Sequence, residues 1–230
     1  MPDQDALKRA AAEKALELVR DGMLLGLGSG STAAYFTEGV GRLAAKGMKL
    51  RGVPTSRAVA ELAAANGIPV VTELIGSIDL AVDGADEVDP ALNLIKGRGG
   101  ALFREKVVAA ASKRFVVVID ASKAVKQLGV GVLPVEVLPF LWRSTAQRLA
   151  TLGTSLTVRG GEEAPFITDN GNLILDLAIE GGINDAAALA QSIRNTIGVV
   201  EHGLFIGMAD TCIVGGPDGP EVVGPAVGDR

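Results

Sequence analysis

Three short segments of the 230-residue chain bring together residue types that chemistry can use. In Asp83-Gly84-Ala85-Asp86-Glu87-Val88-Asp89, four carboxylates fall within seven residues, directly after the apolar run Leu80-Ala81-Val82. Asp83 leaves a buried strand and is the member least able to reach bulk water, whereas Glu87 and Asp89 are expected in a solvated acidic loop. Magnesium is the competing reading, because hard cations take carboxylate oxygen. In Lys96-Gly97-Arg98-Gly99-Gly100, a glycine-rich loop precedes a helix, and successive backbone N–H groups in such a loop can hold a developing oxyanion. On that helix Glu105 shares a face with Ala101, Leu102, Val108 and Ala109. A carboxylate on an apolar face is costly unless it is used or paired. Partial burial raises a carboxyl pKa toward the value that a general base needs near neutrality. A structural salt bridge to a nearby Lys or Arg is the alternative.

The third segment is Gly26-Leu27-Gly28-Ser29-Gly30-Ser31-Thr32-Ala33, at a strand end that opens a helix. Glycines admit a ligand close to the backbone, and the N–H groups and dipole of a helix start attract an anion such as phosphate. Read from Gly28, the segment also fits G-x-G-x-x-A, a dinucleotide fingerprint that is weak alone. A dinucleotide site wants an acid about twenty residues on, at the end of the second strand, and Pro54-Thr55-Ser56-Arg57 stands there instead. A tight turn is the plain alternative. Two lysines complete the set. Lys8 shares a helical face with Ala12, Ala15 and Val19, so its ammonium must pass an apolar stripe to reach solvent or a cleft. Lys123 follows the strand Phe115–Ile119 at its carboxyl edge. Either is also consistent with ordinary surface charge.

Composition narrows the chemistry. With one histidine, His202, and one cysteine, Cys212, the chain cannot build a zinc site of the usual Cys and His sets or an internal disulfide. A nucleophilic triad would have to use His202, in VVEHGLF, which alternates like a half-buried strand. Acid–base work therefore falls to carboxylates and lysines. The 22 basic and 27 acidic side chains give a net charge of −5 with no basic run, so nucleic acid is not expected as a partner. No apolar stretch approaches the ~20 residues of a membrane span, and the charged N-terminus lacks a signal-peptide core, so a cytoplasmic protein is expected.

The elements that must position these residues alternate. Asp3 or Asp5 caps a helix running to about Arg20. The strand MLLGLG, a helix to about Lys46, the strand KLRGVP and a helix over Ser56–Ala65 follow. Next come strands IPVV and IDLAVDG, a helix over Ala101–Ser112 and the strand RFVVVID. Short apolar strands between helices indicate a doubly wound, mainly parallel sheet, Rossmann-like in kind. From about residue 130 the order becomes strand (LPVEVL), helix (Phe140–Leu152), two strands meeting near Asp169-Asn170-Gly171-Asn172, helix (Asn184–Ile197) and strand (VVEHGLF). That β-α-β-β-α-β order predicts a small ferredoxin-like α+β domain over 130–207, inserted in a domain made of 1–129 and 208–230. DTCIVGG closes the larger sheet.

Taken together and in order, GLGSGSTA, DGADEVD, KGRGGALFREK, DASKAVKQLG, LPVEV, TDNGNLILD and GVVEHGLF resemble the A-type ribose-5-phosphate isomerases over almost the whole chain. The resemblance implies interconversion of ribose 5-phosphate and ribulose 5-phosphate in the non-oxidative pentose phosphate pathway. Loops Ser29–Thr32, Asp83–Asp86 and Lys96–Gly99 would contact the sugar phosphate, as would Lys123. Glu105 would accept the proton, and Lys8 would help hold phosphate. It also implies no metal or other cofactor, and a homodimer or a dimer of dimers. Two positions depart from the family's common pattern: Arg98 stands where glycine is frequent, and Ser29 where threonine is. A related sugar-phosphate isomerase, deaminase or lactonase, a non-catalytic sugar-phosphate sensor and an NADP-dependent reductase are the alternatives. The joint presence of Asp83, Lys96 and Glu105 argues against the sensor.

Overall fold

The alternation of apolar runs and helices is realised in a computed structural model, which describes residues 3–153 and 155–224. In chain order the elements are α1 (Gln4–Leu16), β1 (Leu24–Leu27), α2 (Ser31–Ala45), β2 (Arg51–Pro54), α3 (Arg57–Ala65), β3 (Leu80–Asp83), β4 (Glu87–Val88), β5 (Leu94–Ile95), α4 (Leu102–Ala110) and β6 (Phe115–Asp120). They continue with β7 (Leu133–Val137), α5 (Trp142–Leu149), β8 (Ser155–Val158), β9 (Leu173–Ala178), α6 (Ala186–Arg194), β10 (Val199–His202), β11 (Leu204–Phe205), β12 (Thr211–Gly216) and β13 (Gly219–Val223). Contacts divide the chain into two units. The first takes the segment ending at Ala85, Arg104–Ala124 and the segment from Gly207 on; the second takes Asp86–Phe103 and Val125–Ile206.

The first unit is built on a six-stranded sheet of order β2-β1-β3-β6-β12-β13, parallel except for β13, which returns antiparallel to β12. Every residue of β1, β3 and β6 is buried, which is why these strands read as unbroken apolar runs. Leu25, Leu27, Leu80, Val82, Val116, Val118 and Ile213 form one core with Ala12 of α1 and Phe36 and Val40 of α2. Full burial of each large aliphatic side chain contributes about 1.5–3 kcal/mol. The alternate residues of β1 and β3 are small where α4 approaches. A Cβ on Gly26 would sit 2.6 Å from Val108 Cγ1 and 2.7 Å from Ala81 Cβ. Glycine at 26 thus lets the helix that carries Glu105 close on the sheet. Because β2 lies on one side of β1 and β3 on the other, the strand order reverses there. Open α/β sheets bind ligands outside the carboxyl ends of strands at such a point.

The second unit has a four-stranded sheet of order β10-β7-β9-β8, antiparallel throughout, with α5 and α6 in the β-α-β-β-α-β order of a ferredoxin-like fold. Val135, Leu175, Leu177 and Ile193 share its core with Ile95 and Leu204. A second, three-stranded sheet has the order β11-β5-β4.

Several expectations give way to the structure. The segment 86–103, read with the first domain, clusters with the second unit. There β5 pairs with β11, and Val125 N–H donates to the Val88 carbonyl. Glu87, expected in solvent, is 2% exposed. Its Oε2 accepts from the N–H groups of Gly129 (2.7 Å) and Val130 (3.2 Å), and its Oε1 from Gly131 N–H (2.7 Å) and the Arg98 guanidinium. VVEHGLF is two strands in two sheets, divided at Gly203. IPVV makes only the single bridge Gly52↔Val70, since Pro69 has no N–H to give a ladder. The first helix stops at Leu16, four residues short of Arg20, whose Nη1 donates to the Glu17 and Val19 carbonyls beyond the helix end. Strand β13 had no counterpart in the sequence reading. Residues 225–230, assigned by sequence to the larger domain, lie outside the described residues.

Replacing Glu87 by Gln puts an amide NH2 against other donors and removes the charge facing Arg98. The expected cost is about 3 kcal/mol, read as a lower denaturant midpoint at unchanged slope. A midpoint equal to that of the wild type would show that the four-donor cluster does not hold this segment.

Candidate functional site

In the first unit the site begins where β1 and β3 end. Asp83 closes β3 and is 3% exposed; its Oδ1 accepts the N–H groups of Ser29 (3.0 Å) and Gly84 (2.7 Å). Gly28 makes this possible, because a Cβ there would overlap both the Asp83 side chain and its Cα. Ser29 turns its hydroxyl to Thr55, 2.8 Å away, and donates to Ser56 at 3.2 Å. Thr55 in turn donates to the Leu27 carbonyl, and Ser56 caps α3 by accepting from Val59 N–H. Thr55 and Ser56 were not singled out from sequence. Their signal is the Thr-Ser pair at the end of β2, noticed there only for lacking an acid.

Helix α2 starts at Ser31, with Gly30 as its cap at φ +95°. Gly30 supplies no side-chain cap hydrogen bond, and no acid lies in the first turn of the helix. Its first N–H groups and positive dipole end therefore face outward beside exposed Gly30 and Ser31, with Thr32 buried behind. This is an anion-binding arrangement. The start of α1 lies at the carboxyl end of β6, where Gln4 Nε2 donates to Asp120 Oδ1 at 3.4 Å. One turn on, the Lys8 side chain is 16% exposed, with Nζ 3.5 Å from Asp5. Lys123 is half-buried in the short 3-10 turn Ala121–Lys123, which Asp120 caps through Ser122 N–H (3.0 Å) and Oγ (2.5 Å). Burial by itself would raise the Asp120 pKa. The Ser122 hydroxyl and N–H, the Gln4 amide and the Lys123 charge outweigh it and hold the carboxyl below its usual range. A depressed folded-state pKa means that this contribution to stability is present above the unfolded value near ~3.9 and is lost as pH falls through the folded one.

Glu105 lies on α4 and is 6% exposed, on the same buried stripe as Leu102, Val108 and Ala109. Lys106 beside it is also buried, a charged group that helical periodicity had not brought forward.

The second unit carries the remaining candidates. Asp86 accepts the Arg98 N–H on Oδ2 at 2.9 Å and donates its own N–H to the Ile95 carbonyl. Lys96 is 2% exposed, and its ammonium stands 5.6 Å from the centroid of the Phe205 ring, within cation–π range. Gly97 has φ +99°, and nothing would meet a Cβ on Gly99, so the loop is open at that residue. The Arg98 side chain binds Glu87 and donates through Nε to the Val132 carbonyl at 3.4 Å, which accounts for the departure at this position. Asp89 accepts from the N–H groups of Ala91 and Asn93 at 2.9 Å each. The acidic segment thus divides between the units, Asp83 with Gly84 and Ala85 in the first and Asp86, Glu87 and Asp89 in the second. Among the described residues, no group of three or more His, Cys, Asp or Glu side chains is placed to hold a metal ion. His202 is buried and accepts Leu204 N–H on Nδ1, and burial pushes the Cys212 thiol up to about 12, so both belong to strand interiors. No helix among the described residues is long and apolar enough to cross a membrane.

A doubly wound sheet with an anion-ready helix start, buried carboxylates at strand ends and no dinucleotide acid suits a small anionic ligand rather than a dinucleotide. The chain's likeness to known proteins places it among sugar-phosphate isomerases. It belongs to the ribose 5-phosphate isomerase A (phosphoriboisomerase A) family, whose model matches residues 51–219. Ribose-5-phosphate isomerase A 1 of Oceanobacillus iheyensis is 48% identical over 220 residues, covering 95% of this chain and 98% of that protein. Probable ribose-5-phosphate isomerase 2 of Arabidopsis thaliana is 47% identical over 229 residues, 95% of this chain and 86% of that protein. Among solved structures, ribose 5-phosphate isomerase A from Methanocaldococcus jannaschii superposes with a TM-score of 0.91 at 40% identity, covering 97% of this chain and all of that one. A D-ribose-5-phosphate isomerase in complex with phospho-erythronic acid gives 0.92 at 37% identity, with the same coverage.

Gly28→Ala forces the β1 loop away from Asp83 and is expected to cost about 1–3 kcal/mol. Thermal unfolding of the variant checks it, and an unchanged midpoint would mean that the close approach is not required.

Proposed function

We propose that the protein interconverts D-ribose 5-phosphate and D-ribulose 5-phosphate through an enediolate, with Glu105 as the base. In the open-chain aldose the Glu105 carboxylate removes the proton on C2. The C2–H electron pair becomes the C1–C2 double bond, and negative charge moves onto the C1 oxygen. Return of the proton to C1, with transfer of the O2 proton, gives the ketose. The observation that carries this reading is the buried carboxylate of Glu105 on a helix held close against the sheet. A base used on carbon must be shielded from water and fixed in position.

The other roles follow from the chemistry of each group. Lys96 and the N–H groups of Gly97 and Gly99 stabilise the oxyanion, while the Arg98 N–H holds Asp86 beside them. Asp83 or Asp86 exchanges protons with the sugar hydroxyls and assists ring opening. The start of α2, with Ser31, Thr32 and Lys8, takes the phosphate, while Ser29, Gly30, Gly84, Ala85 and Lys123 line the sugar. A relative's structure holds phospho-erythronic acid. Its carboxylate carries charge on two oxygens as an enediolate does, so this compound should bind here more tightly than substrate. No metal or organic cofactor enters the scheme. The assembly in this reading is a homodimer or a dimer of dimers; sedimentation as a monomer would count against it.

Glu105→Gln keeps the shape and removes the base. Its kcat for ribose 5-phosphate should fall by about a hundredfold to ten-thousandfold, while the wild type keeps full activity in EDTA. Near wild-type turnover by the variant would remove Glu105 from the mechanism. Loss of wild-type activity in EDTA, restored by magnesium, would transfer the acidic segment to metal binding.

A further inference from the structure

The stretch Thr168-Asp169-Asn170-Gly171-Asn172-Leu173-Ile174-Leu175-Asp176 has no part in the chemistry above, yet its last residue is tied to the oxyanion loop. Asp176 on β9 holds Arg159 through two parallel hydrogen bonds, Nε to Oδ2 at 2.9 Å and Nη2 to Oδ1 at 2.5 Å. The third nitrogen, Nη1, donates to the carbonyls of both Gly97 and Arg98, at 3.0 Å each. The side chains of this pair are 17% and 14% exposed. Just beyond, the Phe166 ring fills the space against Gly100, where a Cβ would lie 2.6 Å from Cζ. All of these residues lie in the second unit.

A trans peptide points its N–H opposite to its C=O. With the Gly97 and Arg98 carbonyls both drawn to one guanidinium nitrogen, the N–H groups of Arg98 and Gly99 must point away from Arg159. The Arg98 N–H does so and meets Asp86 Oδ2. By the same peptide geometry the Gly99 N–H points to that side as well, and a Cβ on Gly99 would meet nothing within 4 Å.

From this geometry we infer that Arg159, oriented by Asp176, is a positioning residue that sets the direction of the backbone donors of the glycine loop for oxyanion stabilisation. The inference deepens the proposed isomerase reading and rests on it. Lysine cannot substitute, since a point charge cannot hold a carboxylate bidentately and two carbonyls at once.

The test compares wild type, Arg159→Lys, Arg159→Met, Asp176→Asn and Glu105→Gln in steady-state isomerisation, with calorimetric titration of phospho-erythronic acid and of inorganic phosphate. Misdirected donors should lower kcat by about tenfold to a hundredfold in the Arg159 variants, with KM changed less than about threefold. Affinity for phospho-erythronic acid should fall in parallel, and affinity for inorganic phosphate should stay unchanged. If Arg159→Met does not fold, Arg159→Lys and Asp176→Asn carry the same expectation, the latter with a smaller loss. Folded variants with wild-type kcat and analogue affinity, beside an inactive Glu105→Gln, would overturn this inference alone. So would an equal loss of inorganic phosphate binding, which marks general disruption. A wild type that does not isomerise ribose 5-phosphate would overturn the isomerase reading and this inference with it.

Discussion

Asp83 must be satisfied where it stands, at the end of a buried strand, and the first unit is arranged around that requirement. A carboxylate this far from water needs N–H donors fixed in place, and they come from Ser29 and Gly84. Ser29 can reach only because residue 28 has no side chain. The same approach brings the loop after β1 onto the end of β3, so that α2 begins at the reversal of strand order with its N–H groups turned outward. Thr55 and Ser56, at the end of β2, hold the Ser29 hydroxyl from the other side. One close contact between backbone and carboxylate thus aligns the anion-ready helix start with the acid.

The second unit solves a different problem with similar means. Its loops need backbone conformations that no sheet or helix enforces, and buried charges hold them. Glu87 gathers three successive N–H groups from Gly129, Val130 and Gly131 together with Arg98. Glu136, fully buried on β7, accepts on one oxygen from Thr168, Asn170 and Asn172, closing the turn before β9. Arg159 and Asp176 hold the carbonyls of the glycine loop. Ion pairs of this kind seldom add net stability over apolar packing, but removing one partner leaves a buried charge uncompensated. Each cluster fixes a particular segment in a particular place.

What the sequence disclosed follows from the range of the forces involved. Burial of Asp83 was legible because it follows an apolar run directly, and the face of Glu105 because helical periodicity places it among Leu102, Val108 and Ala109. The opening of α2 was legible because glycine, serine and threonine at a strand end carry a local meaning. Glu87 was misjudged as solvated because its partners at Gly129–Gly131 are distant in the chain and are backbone groups, which leave no mark in side-chain pattern. The two-residue strands β4, β5 and β11 are too short for any period, and Gly203 divides an alternation that looked continuous. The Arg159–Asp176 pair joins a strand end to a loop in another segment, a relation that only the folded chain displays.

The central claim is that a protein carboxylate carries the substrate proton between C2 and C1. Ribose 5-phosphate deuterated at C2 tests it directly, by nuclear magnetic resonance and mass analysis of the ketose formed in light water. A carboxylate in exchange with solvent should lose part of the deuterium during transfer, with protium appearing at C1 of the product and a primary isotope effect on the initial rate. Complete retention of the label at C1 would indicate a direct hydride shift and would contradict the account.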